Sequence, residues 1–213
     1  MRALPFRVVL ITDRAACAAR GRGVLETVAR ALDGLDATAV AVLHRDKARS
    51  PEQNLRTVAA LRTLCRRSGA QVLVHTHVFV ATSIGLLGAH LASDALTTEG
   101  EVALARSLLA PGALLGVSAH AGDAVPREVD YALLAPVFAP TSKPDDARVP
   151  LGLGGLRAAC SAGATPIIAL GGVDEGNARA CLDAGAQAVA VLGGIMGARD
   201  PRATLRRLLA AVC

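Results

Sequence analysis

Three observations predict an α/β fold, a single (β/α)8 TIM barrel over residues 1–213. Short apolar, β-branched runs alternate with longer segments of helical period; the runs number eight; and no G-x-G-x-x-G follows the first of them. Continuous apolar strands separated by helices describe a parallel sheet covered on its outside, and eight such units close most simply into a barrel. The doubly wound open sheet is the competing architecture, and the missing glycine fingerprint weighs against it.

The strands are read in order as RVVLITD (7–13), ATAVAVLHR (37–45), QVLVHTH (71–77), LLGAHLA (86–92), LLGVSAH (114–120), DYALLAPVF (130–138), TPIIALGGV (165–173) and AVAVLGGI (188–195). Between the second and third, SPEQNLRTVAALRTLCRRSG reads as a helix with Ser50 as N-cap, Pro51 at its first position and Gly69 closing it. DEGNARACLDAG reads as another, capped by Asp174 and stopped by Gly185. The middle of the chain is less regular. The helix after the third strand is short, roughly VFVATSIG, and the connection 120–130 contains Pro126. APTSKPDDARVPLGLGG is a long polar loop after the sixth strand, at the barrel end where long loops are usually functional.

Composition narrows the partners. At 213 residues and 52% hydrophobic, the chain can bury one large core, and with aromatics at only 2% that core must be aliphatic. Basic residues exceed acidic ones by 23 − 18 = 5 without forming a run, which favours small phosphorylated ligands over nucleic acid. Cys17, Cys65, Cys160, Cys181 and Cys213 are odd in number and lack CxxC spacing, as expected of thiols in a reducing cytoplasm. No signal peptide and no apolar run of membrane-spanning length is expected. The sequence leaves the oligomeric state open.

A barrel keeps its active site at the C-terminal strand ends. There the sequence puts Asp13, Arg14, His44, Arg45, Asp46, Lys47, His75, Thr76, His77, Ser118 and His120, with His90 inside the fourth strand. Ser142 and Lys143 lie in the long loop; Gly171 and Gly172, then Gly193 and Gly194, end the last two strands. Glycine pairs let backbone N–H groups approach a phosphate closely, although two tight turns would look the same. Arg45, Lys47 and Lys143 could meet a second anionic group. His75 and His77, one residue apart, would share a side of a strand and invite a metal reading, but no carboxylate set completes it. His120 suits a general base, and a structural histidine fits as well.

Nearly the whole chain resembles the family of thiamine phosphate synthase and the related thiazole tautomerase. The resemblance runs through LITDR (10–14), HRDK (44–47), GVSAH (116–120), APVFAPTSKPD (135–145), PLGLGGL (150–156), PIIALGGVDEGNA (166–178) and VLGGIMGARDP (191–201). It implies a TIM barrel of thiamine biosynthesis. The synthase joins hydroxymethylpyrimidine diphosphate to thiazole phosphate with magnesium and releases diphosphate; the tautomerase needs one base and no metal. By position, Arg45, Lys47, Lys143, Ser118 and Ser142, the last replacing a threonine, match the diphosphate contacts. Gly171, Gly172, Gly193 and Gly194 match the thiazole-phosphate cradle, and His120 matches the tautomerase histidine.

The departures cluster. His75-Thr76 stands where the synthase has Asn-Asp, the usual second magnesium aspartate falls at Ala95 with Asp94 beside it, Leu43 and His44 replace a glutamine, and Pro140 replaces the first loop threonine. With those aspartates lost, Asp94 is the candidate metal ligand, and protonated His75 or His77 could add positive charge for the diphosphate. The resemblance therefore implies a synthase. A tautomerase using His120, a non-catalytic thiazole-phosphate-binding relative, or a metal hydrolase on His75 and His77 are the alternatives.

Overall fold

The computed structural model describes residues 3–139 and 148–213. Eight parallel strands close into a barrel in sequence order: β1 (Val8–Ile11), β2 (Val40–His44), β3 (Gln71–His75), β4 (Gly88–Leu91), β5 (Leu114–Ala119), β6 (Tyr131–Leu134), β7 (Ile167–Ala169) and β8 (Ala188–Val191). Helices α1 (Arg14–Ala18), α2 (Val24–Leu32), α3 (Pro51–Cys65), α4 (Val78–Ser83), α5 (Glu101–Leu108), α6 (Gly152–Ala162), α7 (Ala178–Asp183), α8 (Gly193–Met196) and α9 (Pro201–Val212) cover it, with a 3-10 turn at Ser93–Leu96. Among the described residues no helix joins β5 to β6, the connection that contains Pro126.

Strand alternation sorts two cores. Val8, Leu10, Val40, Val42, Val72 and Val74 face the helices, whereas Val9, Ile11, Ala41, Leu43, Leu73, Leu133, Ile168 and Ala190 fill the barrel. Phe6 and Tyr131 pack edge to face within that inner core, their ring centroids 6.1 Å apart. The strand register sets His75 opposite His90, His90 opposite Gly116, and Gly116 opposite Tyr131.

All eight expected strands form, and each ends sooner than its apolar run. β3 stops at His75 because Thr76 adopts φ 60°, a left-handed conformation unusual for a β-branched residue. The two histidines therefore do not share a strand face, contrary to the expectation from strand alternation. The eighth run divides into β8 and the short α8, so Gly193 and Gly194 open a helix instead of ending a strand. Helix α3 begins as expected: Ser50 Oγ accepts from the Gln53 N–H, and the Gln53 side chain accepts from the Ser50 N–H. Helix α7 starts three residues later than the sequence suggested, with Asn177 as N-cap. Asp174 instead closes the preceding turn, accepting from the N–H groups of Gly176 and Asn177.

Candidate functional site

The C-terminal mouth of the barrel holds a cavity of about 340 Å³. Ile11, Leu43, Leu133, Leu170 and Leu192 make its apolar floor and walls, and Asp13, Arg45, Lys47, His75, His90, Ser118, His120 and Arg148 supply the polar groups. Pro136 and Gly171 complete one side. A second cavity of about 300 Å³ adjoins it, lined by Asp46, Asn54, Thr76, His77, Asp94 and Glu101. Lys47, His75 and Ala92 line both cavities.

The segment carrying Arg45 and Lys47 is held from below. Thr12 Oγ1 accepts from the Arg45 N–H at 3.0 Å and lies 3.2 Å from His44 Nδ1. His44 Nε2 meets Asn54 Oδ1 at 2.9 Å, and the Asn54 amide nitrogen lies 3.0 Å from His77 Nε2. Asn54 also donates to the carbonyls of Asp46 and Arg49. A buried side chain of α3 thus ties together β2, the Arg45–Arg49 segment and the start of α4. Burial is the main influence lowering the basicity of His44, ahead of the opposing bond to Asn54.

Deeper in the barrel, His90 Nε2 lies 3.0 Å from Ser118 Oγ, and the His90 ring stacks on Tyr131 with centroids 5.6 Å apart at 18°. His75 lies beside it, centroids 6.0 Å apart. Burial first, then the charges of Arg45 and Lys47, pushes the His75 imidazole down to about 4. At neutral pH His75 is uncharged, which corrects the expectation that a protonated His75 could help to neutralise an anion. Burial holds His90 well below its ordinary value too. The Nδ1 of His90 and the hydroxyl of Tyr131 are buried with no partner among the described residues.

His120 follows β5 at the rim. Its backbone N–H donates to Asp123 Oδ2 at 2.8 Å, its Nδ1 lies 3.4 Å from the same oxygen, and Arg148 donates to its Nε2. The ring nitrogen that a general base would use therefore faces a guanidinium. Gly171 and Gly172 have φ 93° and 63°, and a β-carbon on them would stand 2.8 Å from Pro136 Cα and 2.7 Å from the Ala139 carbonyl oxygen. Only glycine fits there. Their carbonyls are occupied, Gly171 accepting from the Phe138 N–H and Gly172 from Asn177 Nδ2. Their N–H groups make no bond to a described residue. Gly194 has open space where a side chain would be.

Of the residues singled out in the sequence, Asp13, Arg45, Lys47, His75, His90, Ser118, His120 and Gly171 line the mouth cavity together. Gly172, Gly193 and Gly194 adjoin it in sequence after the lining residues Gly171 and Leu192. His77 and Asp94 line the second cavity. Ser142 and Lys143 lie outside the described residues. The sequence reading missed Asn54, Glu101, Tyr131 and Arg148. For Tyr131 a signal existed, since strand alternation places it inside the barrel in line with Leu133.

Magnesium takes an octahedral set of oxygens and is commonly bound through one or two carboxylates plus substrate phosphates. Asp94 and Glu101 supply two carboxylates to the cavity that Lys47 shares, while His75 and His77 offer nitrogens that suit the ion poorly. No cluster of three ligating His, Cys, Asp or Glu side chains forms among the described residues. This donor set fits an ion that arrives with a diphosphate and does not fit a closed protein cage.

A model of the family described as thiamine monophosphate synthase matches residues 8–195. The thiamine-phosphate synthase of Chloroflexus aurantiacus is 38% identical over 211 residues, spanning 97% of this chain and 93% of its own length. That of Laribacter hongkongensis is 37% identical over 214 residues, spanning 97% and 95%. Among solved structures, thiamine phosphate pyrophosphorylase from Pyrococcus furiosus superposes with a TM-score of 0.79 at 31% identity, covering 98% of this chain and 96% of that one. A 3-hexulose-6-phosphate synthase, at 16% identity and a TM-score of 0.62, shares the fold alone.

Proposed function

The chain belongs to the thiamine monophosphate synthase family, and on that premise we propose how its barrel mouth carries out the reaction. It is a thiamine-phosphate synthase, a transferase of thiamine biosynthesis. The diphosphate of the hydroxymethylpyrimidine substrate leaves as the carbon–oxygen bond breaks, and the thiazole nitrogen forms the new bond to that carbon. The observation that carries the assignment of residues is the convergence of Arg45, Lys47 and Ser118 on one apolar-walled cavity that the Gly171 turn also lines.

In this reading Arg45 and Lys47 hold the diphosphate and face the negative charge that grows on it as the bond breaks, a transition-state interaction strengthened by the apolar surroundings. Ser118 adds a hydroxyl contact, and by family resemblance Ser142 and Lys143 add two more. The N–H groups of Gly171, Gly172, Gly193 and Gly194 cradle the thiazole phosphate. Ile11, Leu43, Leu133 and Leu170 keep water from the electron-poor pyrimidine carbon, which would otherwise be captured as the alcohol. His75, uncharged, lines both cavities, and His77 lines only the second, beside Lys47, Asp94 and Glu101.

Asp94 and Glu101 would hold magnesium together with the diphosphate oxygens. When bound, the ion supplies Lewis-acid neutralisation of the leaving group. Tautomerase chemistry at His120 is disfavoured because Arg148 occupies its Nε2. All five cysteines are free, which suits a reducing cytoplasm, and among the described residues no helix is long and apolar enough to cross a membrane.

The test is product formation from hydroxymethylpyrimidine diphosphate, thiazole phosphate and magnesium, with Arg45→Ala and Lys47→Ala alongside. Each variant should lose at least about tenfold in kcat/KM, the scale of one charge-assisted contact. Thiamine phosphate formed equally well by both variants would remove their role, and no product from the folded parent protein would remove the activity.

A further inference from the structure

His90 is a polar ring in the apolar interior of the barrel. It is fully buried, stacked on Tyr131, and bonded through one nitrogen only, to Ser118 Oγ at 3.0 Å. Its Nδ1 has no partner among the described residues. Such a ring stays neutral, because burial and the neighbouring His75 and Arg45 all oppose a charge on it. A neutral imidazole carries one proton, and the two nitrogens compete for it. On Nδ1 the proton would form a buried N–H with no acceptor, a rare arrangement; on Nε2 it is donated to Ser118, and only a lone pair goes unused.

The consequence falls on Ser118. With an N–H donating into its oxygen, the hydroxyl cannot also spend its proton on His90, and that proton turns toward the cavity that Ser118 lines. We infer that His90 is a positioning residue: its Nε2–H fixes Ser118 as a hydrogen-bond donor to the anionic group of the bound diphosphate substrate. This rests on the reading of Ser118 as a substrate contact. A donor chain of this kind, N–H to O–H to anion, polarises in one direction and strengthens at the charged end. The Tyr131 ring gives the imidazole a fixed plane, so the direction of the chain is set before substrate enters.

Two measurements test it. In the unmodified protein, long-range 1H–15N correlation spectra should show His90 protonated at Nε2, its signals assigned by their disappearance in His90→Gln; protonation at Nδ1 overturns the proposal whatever the kinetics. In steady-state assays with the pyrimidine diphosphate, Ser118→Ala and His90→Phe should each lower kcat/KM by at least about tenfold. The double variant should be no worse than either, and His90→Gln, which can place an amide N–H near the Nε2 position, should recover most of the loss. If Ser118→Ala changes nothing, the substrate-contact reading fails and the inference falls with it. If Ser118→Ala is impaired but His90→Phe adds its effect independently, or His90→Gln recovers nothing, Ser118 is a contact that His90 does not orient.

Discussion

The Tyr131 ring occupies the space that a side chain on Gly116 would need: a β-carbon built on residue 116 would lie 2.1 Å from Tyr131 Cζ. The two are register partners across β5 and β6. The absence of a side chain on one strand is therefore what admits the largest side chain of the barrel interior from the next, and that ring in turn backs His90.

Gly116→Ala should accordingly destabilise the protein by about 3 kcal/mol or more, since overpacking here meets a ring enclosed on all sides. Tyr131→Phe keeps the ring and deletes a buried hydroxyl that has no described partner. Its expected effect is within about 1 kcal/mol of zero, or stabilising. Urea unfolding of both variants decides: a tolerated alanine at 116 would show that the ring has room to move.

Asn54 is 1% exposed; its Oδ1 meets His44, and its two N–H donors are shared among His77 and two backbone carbonyls. Asn54→Leu should cost about 3 kcal/mol, because buried polar groups lose their partners together. It should also weaken the diphosphate substrate's KM by loosening the segment carrying Arg45 and Lys47. A melting temperature within a degree or two of the parent would mean that the network is dispensable.

The buried histidines set an acid limit. His44, His75 and His90 all have folded-state values below the ordinary one, His75 at about 4. As pH falls below about 6.5, the unfolded chain takes up protons that the folded chain refuses, so stability is complete above that pH and declines toward pH 4. For His75 alone the shift corresponds to about 3 kcal/mol. Thermal melts from pH 7.5 to 4.5 should show a steady fall in Tm, and a flat profile would contradict the uncharged state assigned to these rings.

Arg148 and His120 should behave as a unit. Arg148→Ala and His120→Ala are each expected to reduce kcat/KM for thiamine phosphate formation by about tenfold, with the double variant little worse than either. Fully additive losses would separate them. Hydrogen exchange at the thiazole carbon, lost in His120→Ala but present in the parent, would return the base role to His120.

Much of this architecture is legible in the sequence, because a strand buried on both faces writes itself as an unbroken apolar run. Where strands stop is not. Single backbone positions such as Thr76 at φ 60° and Gly171 at φ 93° decide it, and apolar periodicity carries no record of them. The mouth residues were found because strand ends in a barrel converge. Asn54 was missed since it sits in a polar stretch of α3 that reads as solvent-facing, and Arg148 because it meets His120 from 28 residues away in the chain.

The turn at Thr76 sends two histidines that are almost neighbours in sequence to different destinations, His75 onto the wall between two chambers and His77 into only one of them. For inhibitor design, that partition separates two problems. A compound filling the apolar chamber is graded by shape, one filling the other by its handling of charge, and a linker between them would have to pass the ammonium of Lys47 and the imidazole of His75.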